Sequence, residues 1–397
     1  MKICKVWDAD YPWDVRAAKV SRSLTVAGHD VHLVARNREA RPIREALPEA
    51  TVHRLRPWPV GKRLSSASMF PAFFNPRWLS AIYRTARRER SELILVRDLP
   101  LAPAAIAVAR TLGIPVILDM AENYPAMMQS LFDARVQRRW DVLVRNPRAV
   151  RAVERWVLRH VDHVLVVVEE SRDRLVALGL RDDRITLVGN TPPLQALTAT
   201  AAHVHRRGEL HLTYLGLLEA PRGLGVVIAA LARCRARGLQ VKLTVIGTGR
   251  ERARFERQAR ELGLDDSAVR FLGYVPNEQA LRLVGEADVG LVPHMANNSW
   301  NTTIPNKLFD YMAAGLAIIT SDARPAARIV CETGTGEVFG SGDPDALVSA
   351  IERLADPEVR AALGQRGRCA IATRYNWEAD EARLLAAVEH SSRTADR

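Results

Sequence analysis

Twice along this chain, short apolar runs rich in β-branched residues alternate with helical stretches at regular intervals, and this repetition constrains the fold more than any other feature. The first series puts strands at residues 2–7, 31–34, 93–96, 116–119 and 161–168, and the second at 210–216, 242–249 (ending in Gly-x-Gly), 269–276 (a strand and its turn), 287–294 and 316–320. Continuous apolar runs suit strands buried on both faces of a parallel sheet, and parallel neighbours need the crossover helices that the intervening stretches supply. The expectation is an α/β chain of two parallel-sheet domains, residues 1–190 and 209–374, joined by a Pro-, Ala- and Thr-containing linker at 191–208 with little periodicity. The first domain opens as a βαβ unit, in which Val20, Leu24 and Ala27 share one helix face and Gly28-His29-Asp30 turns the chain into its second strand.

The length, 397 residues, allows two or three domains with large cores. No run of about 18 uncharged apolar residues occurs, and Asp8, Asp10 and Asp14 interrupt any apolar core of a leader, so the expected location is cytoplasmic. Cys4, Cys234, Cys331 and Cys369 lack paired spacing and read as reduced core thiols, with no metal frame. A net charge of +12, from 57 basic and 45 acidic residues, favours an anionic partner. Basic residues interleave with aromatics between residues 54 and 90, including Trp58, Phe70, Phe73, Phe74 and Trp78, and a second basic stretch spans 135–159. These stretches suit an anionic membrane surface on its inner face, or else helices whose aromatics pack on the sheet while their arginines stay solvated. No RNA-binding fingerprint accompanies them, so nucleic acid is not expected as a partner.

Open α/β sheets gather ligands outside the carboxyl ends of their strands, where Asp98, Glu122 and Asn123 fall. In the second half, Pro305 suits the first turn of a helix, Thr302 and Thr303 can cap it, and Gly315 can end it. Its amino-terminal amides would seat a phosphate, with Lys307 as a cation and Asp310 as an acceptor for sugar hydroxyls. The simpler reading makes both residues part of a solvated helix face.

The stretch Pro305-Asn306-Lys307-Leu308-Phe309-Asp310-Tyr311-Met312-Ala313-Ala314-Gly315 resembles the C-terminal donor motif of the retaining GT-B glycosyltransferases of family 4. The family form is a Glu, seven residues and a second Glu, then a Met-Ala-x-Gly turn and a Val-Ile strand. The resemblance covers nearly the whole chain and is strongest from Gly216 to Asp322. It implies the GT-B fold, two Rossmann-like domains facing across a cleft, with residues 375–397 as a C-terminal helix crossing back to the first. It also implies transfer of a sugar with retention, from a nucleotide-sugar donor to an acceptor hydroxyl on a carbohydrate or lipid-linked precursor, with no metal or other cofactor. The rival reading is a non-catalytic nucleotide-sugar or anionic-surface binding protein on the same fold.

Residue by residue, the resemblance gives Asp310 the ribose-holding place of the second Glu and puts Thr302 where the first would stand near the donor sugar. Asn306 and Lys307 lie between them. Gly216, Arg222 and Gly223 match the family's Gly-Arg and Lys-Gly diphosphate clamp, with Arg222 at the Lys position and Leu217 where its Arg would be. Lys307 or Arg16 would then supply the missing cation. Gly247 opens the Gly-x-Gly that follows the next strand. Glu122 resembles the retained half of a His-Glu pair and, with Asp98, is the candidate for acceptor binding or proton handling; a purely structural Glu122 is the alternative. Arg16 closes a Pro-Trp-Asp-Val-Arg loop and is a candidate for a donor phosphate or an acceptor acid, or a surface arginine. Asn297, Asn298, Asn301 and Thr302 are expected to offer hydrogen bonds to sugar hydroxyls.

Overall fold

The computed structural model describes residues 1–56, 73–133, 146–199 and 208–395. Two units follow one another: the first takes in Met1–Val188 together with Glu381–Arg397, the second Gly189–Asp380. The C-terminal helix, Trp377–Ala395, therefore starts in the second unit and ends in the first.

The first unit is built on eight strands: β1 (Lys2–Val6), β2 (Asp30–Ala35), β3 (Arg44–Leu47), β4 (Ala50–Arg54), β5 (Leu93–Arg97), β6 (Val116–Met120), β7 (His163–Val166) and β8 (Ile185–Leu187). Their order is β3-β4-β2-β1-β5-β6-β7-β8, and every pair is parallel except β3–β4. Ile3, Val6, Leu33, Leu95, Leu118 and Val164 are buried, as continuous apolar strands between helical layers require. The hairpin of β3 and β4 was not expected. Arg44 and Ala46 are exposed in β3, so this edge strand has the polar alternation of a sheet margin and no apolar run.

The helix Pro76–Glu89 packs against this sheet. Asn75 caps it by accepting from the Arg77 amide at 3.0 Å, Pro76 fills the first position, and Arg90 ends it in the left-handed region. Trp78, Ile82 and Ala86, each four residues on from the last, are fully buried, while Arg84, Arg87 and Arg88 face solvent. Trp78 is thus a core residue and cannot serve as a membrane anchor, which corrects one reading of the aromatic and basic stretch. Trp58 and Phe70 lie outside the described residues, as do 134–145 of the second basic stretch. In the helix Pro147–His160, Asn146 caps, Val150 and Val157 are buried, and Arg148, Arg151, Arg155 and Arg159 are exposed or partly so.

The second unit has six parallel strands, β9 (Leu210–Leu215), β10 (Val241–Ile246), β11 (Val269–Gly273), β12 (Val289–Val292), β13 (Ala317–Ser321) and β14 (Gly336–Phe339), in the order β11-β10-β9-β12-β13-β14. Between β12 and β13 runs the helix Lys307–Ala314, which Gly315 ends at φ +76°. The Tyr311 hydroxyl accepts from the Leu215 amide at 2.7 Å, and the Tyr311 ring fills the space above Gly290, where a Cβ would lie 2.3 Å from it. These contacts fix the helix over β9 and β12. Its start differs from expectation: the helix begins at Lys307, and Thr302 does not cap it, because its hydroxyl donates to the Asn298 and Ser299 carbonyls at 2.9 and 3.2 Å. Part of the expected linker is packed too. Arg368 donates to Leu197 O at 2.6 Å and Ala313 O at 2.9 Å, tying the short helix Ala196–Ala199 to this unit. Residues 200–207 lie outside the described residues. Cys4 and Cys234 are buried, whereas Cys331 and Cys369 are exposed, so only two of the four thiols belong to the core.

Candidate functional site

In the second unit, the carboxyl ends of β9 and β12 meet the start of the helix Lys307–Ala314. Gly216 leaves β9 at φ +137°, and a Cβ there would stand 3.1 Å from Lys307 Nζ and 3.9 Å from Arg222 Nη1. Gly223 sits at φ +77° with its Cα against Pro293; a Cβ would approach Pro293 O to 1.7 Å. Gly247, at φ +139°, packs equally close to Gly216 O, where a Cβ would come to 1.9 Å. Gly223 and Gly247 thus allow backbone to touch backbone, and Gly216 leaves room for the Lys307 and Arg222 side chains, which brings those two residues to one place.

Lys307 is 5 % exposed, and its Nζ has no hydrogen-bond partner among the described residues. It lies 3.7 Å from the centroid of the Tyr214 ring, an arrangement that offers a cation some compensation but no hydrogen bond. Burial and the nearby Arg222 charge hold its pKa well below the usual lysine value, against the opposing pull of Asp310. Arg222 stacks over Trp300 at 5.3 Å. Beside them is His294, 1 % exposed, with neither ring nitrogen hydrogen-bonded among the described residues and its ring 4.0 Å from that of Trp300. Burial, then Lys307 and Arg222, push the His294 pKa well below the usual range. Buried cationic and polar nitrogens without partners are costly. An anion of two or more charges at this point would satisfy them together.

His294 and Trp300 were not anticipated as site residues. A histidine just past the carboxyl end of a buried strand was the signal available. In the loop from His294 to the helix, several side-chain oxygens are bonded to backbone amides. Asn297 Oδ1 accepts from the Ser299 and Trp300 amides at 2.9 and 3.0 Å, and Asn301 Oδ1 accepts from the Arg324 amide at 3.1 Å. These two oxygens are therefore engaged within the protein. Asn306 is exposed at the helix start and makes no side-chain cap. Asp310 is half-buried one turn into the helix. Leu217, at the place of the clamp arginine, is 50 % exposed.

The first unit holds a separate cluster at the carboxyl ends of β1, β5 and β6. Arg16 is part of it, but as a buried structural group: its Nη2 donates to Asp119 Oδ1 at 2.6 Å and its Nη1 to Val188 O at 3.1 Å. Its burial corrects the reading of it as a surface arginine, and Lys307 is the cation beside Arg222. Burial alone would raise the Asp119 carboxyl, but Arg16 brings it below the usual carboxylate range. Lys5 Nζ donates to Ala17 O at 2.6 Å and Ser21 Oγ at 3.0 Å, and burial lowers its pKa to about 7. Arg97 donates to Asp14, which also caps the helix Val15–Val26 by accepting from the Ala17 amide at 2.7 Å.

Asp98 follows β5 at φ +60°, ψ 164°, a conformation that costs a non-glycine residue about 1–3 kcal/mol and that recurs at functional positions. Its carboxylate accepts from the Ala121 amide at 3.3 Å, and a quarter of the side chain is exposed. Burial and the charges of Glu122 and Asp119, opposed by Arg97, push its pKa up to about 7. Glu122 is exposed beside it. The two carboxylates expected together are thus brought together, one of them poised to exchange a proton near neutral pH.

Two family models match in succession: a "glycosyl transferase 4-like domain" over residues 14–191 and "glycosyl transferases group 1" over residues 209–356. The chain is 25 % identical over 298 residues to the glycogen synthase of Mycobacterium tuberculosis, covering 74 % of this chain and 67 % of that one. It is 30 % identical over 178 residues to the phosphatidyl-myo-inositol mannosyltransferase of Mycolicibacterium smegmatis, covering 44 % of each. Its fold matches that of sucrose-phosphate synthase from Thermosynechococcus elongatus with a TM-score of 0.80 at 19 % identity, over 98 % of both chains.

Proposed function

Since the chain belongs to the glycosyltransferases of the GT-B fold, with a 4-like domain followed by a group 1 domain, we propose that it moves a sugar with retention from a nucleotide-sugar donor to an acceptor hydroxyl in polysaccharide, lipid-linked glycan or glycolipid biosynthesis. The observation that carries this reading is the buried Lys307 Nζ, unpartnered among the described residues, beside Arg222 and an equally unpartnered His294. The donor diphosphate would take its hydrogen bonds from Lys307 and Arg222, near the amides that open the helix Lys307–Ala314. As the sugar–oxygen bond breaks, negative charge grows on the leaving phosphate, and cations already fixed by the fold stabilise it without reorganising. No divalent ion is required for that step. Asp310 would hold the ribose.

Asp98 and Glu122 would serve the acceptor. A carboxylate with a pKa of about 7 can accept the acceptor hydroxyl's proton at physiological pH if the hydroxyl comes within hydrogen-bond reach. The mannosyltransferase and glycogen synthase similarities support a glycan or lipid-linked acceptor. The solvent-facing arginines of Pro76–Glu89 and Pro147–His160 support an anionic acceptor or a peripheral membrane position. Among the described residues no helix is long and apolar enough to cross a membrane.

The testing experiment offers UDP-, GDP-, dTDP- and ADP-sugars with lipid and polysaccharide acceptor fractions and reads nucleoside diphosphate release, then the anomeric configuration of the product by proton NMR. Release with a retained anomer is expected. Nucleotide-sugar binding without release under any pairing would favour the non-catalytic reading, for which Thr302, whose hydroxyl is turned onto Asn298 and Ser299, is the structural support.

A further inference from the structure

We propose that His32, His53 and Glu89 form a binding site for one divalent transition-metal ion of the zinc class, tying the edge of the first unit's sheet to the end of a helix. His32 lies on β2 and His53 on the neighbouring β4, while Glu89 is the last residue of the helix Pro76–Glu89. One donor atom from each residue lies within 4.8 Å of the other two. His32 Nδ1 and His53 Nε2 are 3.2 Å apart. Two nitrogens bound tetrahedrally at about 2.0–2.1 Å from zinc stand roughly 3.3 Å apart, so the pair is already at ligand spacing.

The neighbouring groups fit the same reading. The other nitrogen of His32, Nε2, lies 3.2 Å from Asp30 Oδ2, where a ligating imidazole usually finds an outer carboxylate to orient it. His32 Nε2, although close to Asp30 and 3.9 Å from Glu89 Oε2, makes no hydrogen bond among the described residues, and neither does the buried Glu89 Oε1. A bound cation would engage the carboxylate and turn His32 toward Asp30. Arg44 and Arg88 approach Glu89 Oε1 at 3.8 and 3.5 Å, but their side chains are 53 % and 70 % exposed and can swing into water when a cation takes the carboxylate. His53 also lines an open cavity of about 540 Å³, which leaves room for a water as fourth ligand. On β2 and β4 the site is two or more strands from Asp98 and Glu122, which follow β5 and β6, so the ion's role is structural and separate from sugar transfer.

The test titrates the full chain, stripped with chelator, with Co²⁺ and reads the visible ligand-field bands. One equivalent is expected to bind, displaced by Zn²⁺, with the bands lost in both His53→Gln and Glu89→Gln. Asp30→Asn should weaken binding roughly ten- to a hundredfold. Metal-free melting temperatures verify that the variants fold, and Glu89→Gln, at a helix end, keeps the test valid if a histidine variant does not. No ligand-field bands in the parent chain, or bands retained in a folded Glu89→Gln variant, would overturn the proposal.

Discussion

Replacing Lys307 by Met should move stability and nucleotide affinity in opposite directions. Methionine keeps the length and apolar stem of the side chain but removes a buried ammonium, unpartnered among the described residues and held beside Arg222. Exchanging a buried charge for a packed apolar group commonly stabilises by about 1–4 kcal/mol. In a unit of this size each kcal/mol raises the melting temperature by roughly 2–4 °C. The sign also depends on pH. Because the folded pKa is lowered, the folded chain gives up a proton that the unfolded chain keeps. The parent's stability therefore falls as pH drops from the usual lysine range toward the lowered value and is level below it, and the variant lacks this component. Meanwhile one charge-assisted phosphate contact is lost, about 1.5–3 kcal/mol, or a ten- to hundredfold weaker dissociation constant. Thermal melts without ligand and calorimetry with nucleoside diphosphates read the two effects separately. A variant that melts lower and binds nucleotide as tightly as the parent would refute the reasoning.

Gly223→Ala should cost more than Gly238→Ala, although both positions have φ near +80°. The added methyl meets Pro293 O at 1.7 Å in the first case and nothing within 4 Å in the second; denaturant melts should separate them by about 1–3 kcal/mol. Asp98→Asn should remove a turnover-linked ionisation near pH 7, below which the parent's rate falls as the carboxylate takes up a proton; an unchanged pH profile would discount Asp98 as the proton acceptor. His163, 4 % exposed and bonded to Thr186 Oγ1 at 2.8 Å, has its pKa lowered to about 4 by burial and His390. Between pH 6.5 and 4 the unfolded chain takes up a proton that the folded one refuses, so stability should decline by up to about 1.4 kcal/mol per pH unit there. His163→Asn should flatten that part of the stability curve.

The parallel strands were legible because burial on both faces writes an uninterrupted apolar run, as in Leu93 to Val96 or Ala317 to Ile319. β3 was not, since its exposed Arg44 and Ala46 look like loop. In the site, Gly216, Arg222, Gly223, Gly247 and Lys307 converge as motif order suggested, because each lies in a turn at the end of a strand or in a helix's first turn. The pairing of Arg16 with Asp119, 103 residues apart, could not be read from either neighbourhood. Nothing in the local pattern distinguishes this arginine from the many that face water. Similarly, His294 owes its significance to two cations that reach it from other segments.

The most direct test of the donor site is hydrogen exchange of the chain with and without a saturating nucleotide sugar. Slowed exchange is predicted at the amides of Gly216 to Gly223, of His294 to Trp300 and of the first turn beginning at Lys307. Binding that leaves these amides unprotected and instead protects only segments of the first unit would contradict a donor site built on Lys307 and Arg222.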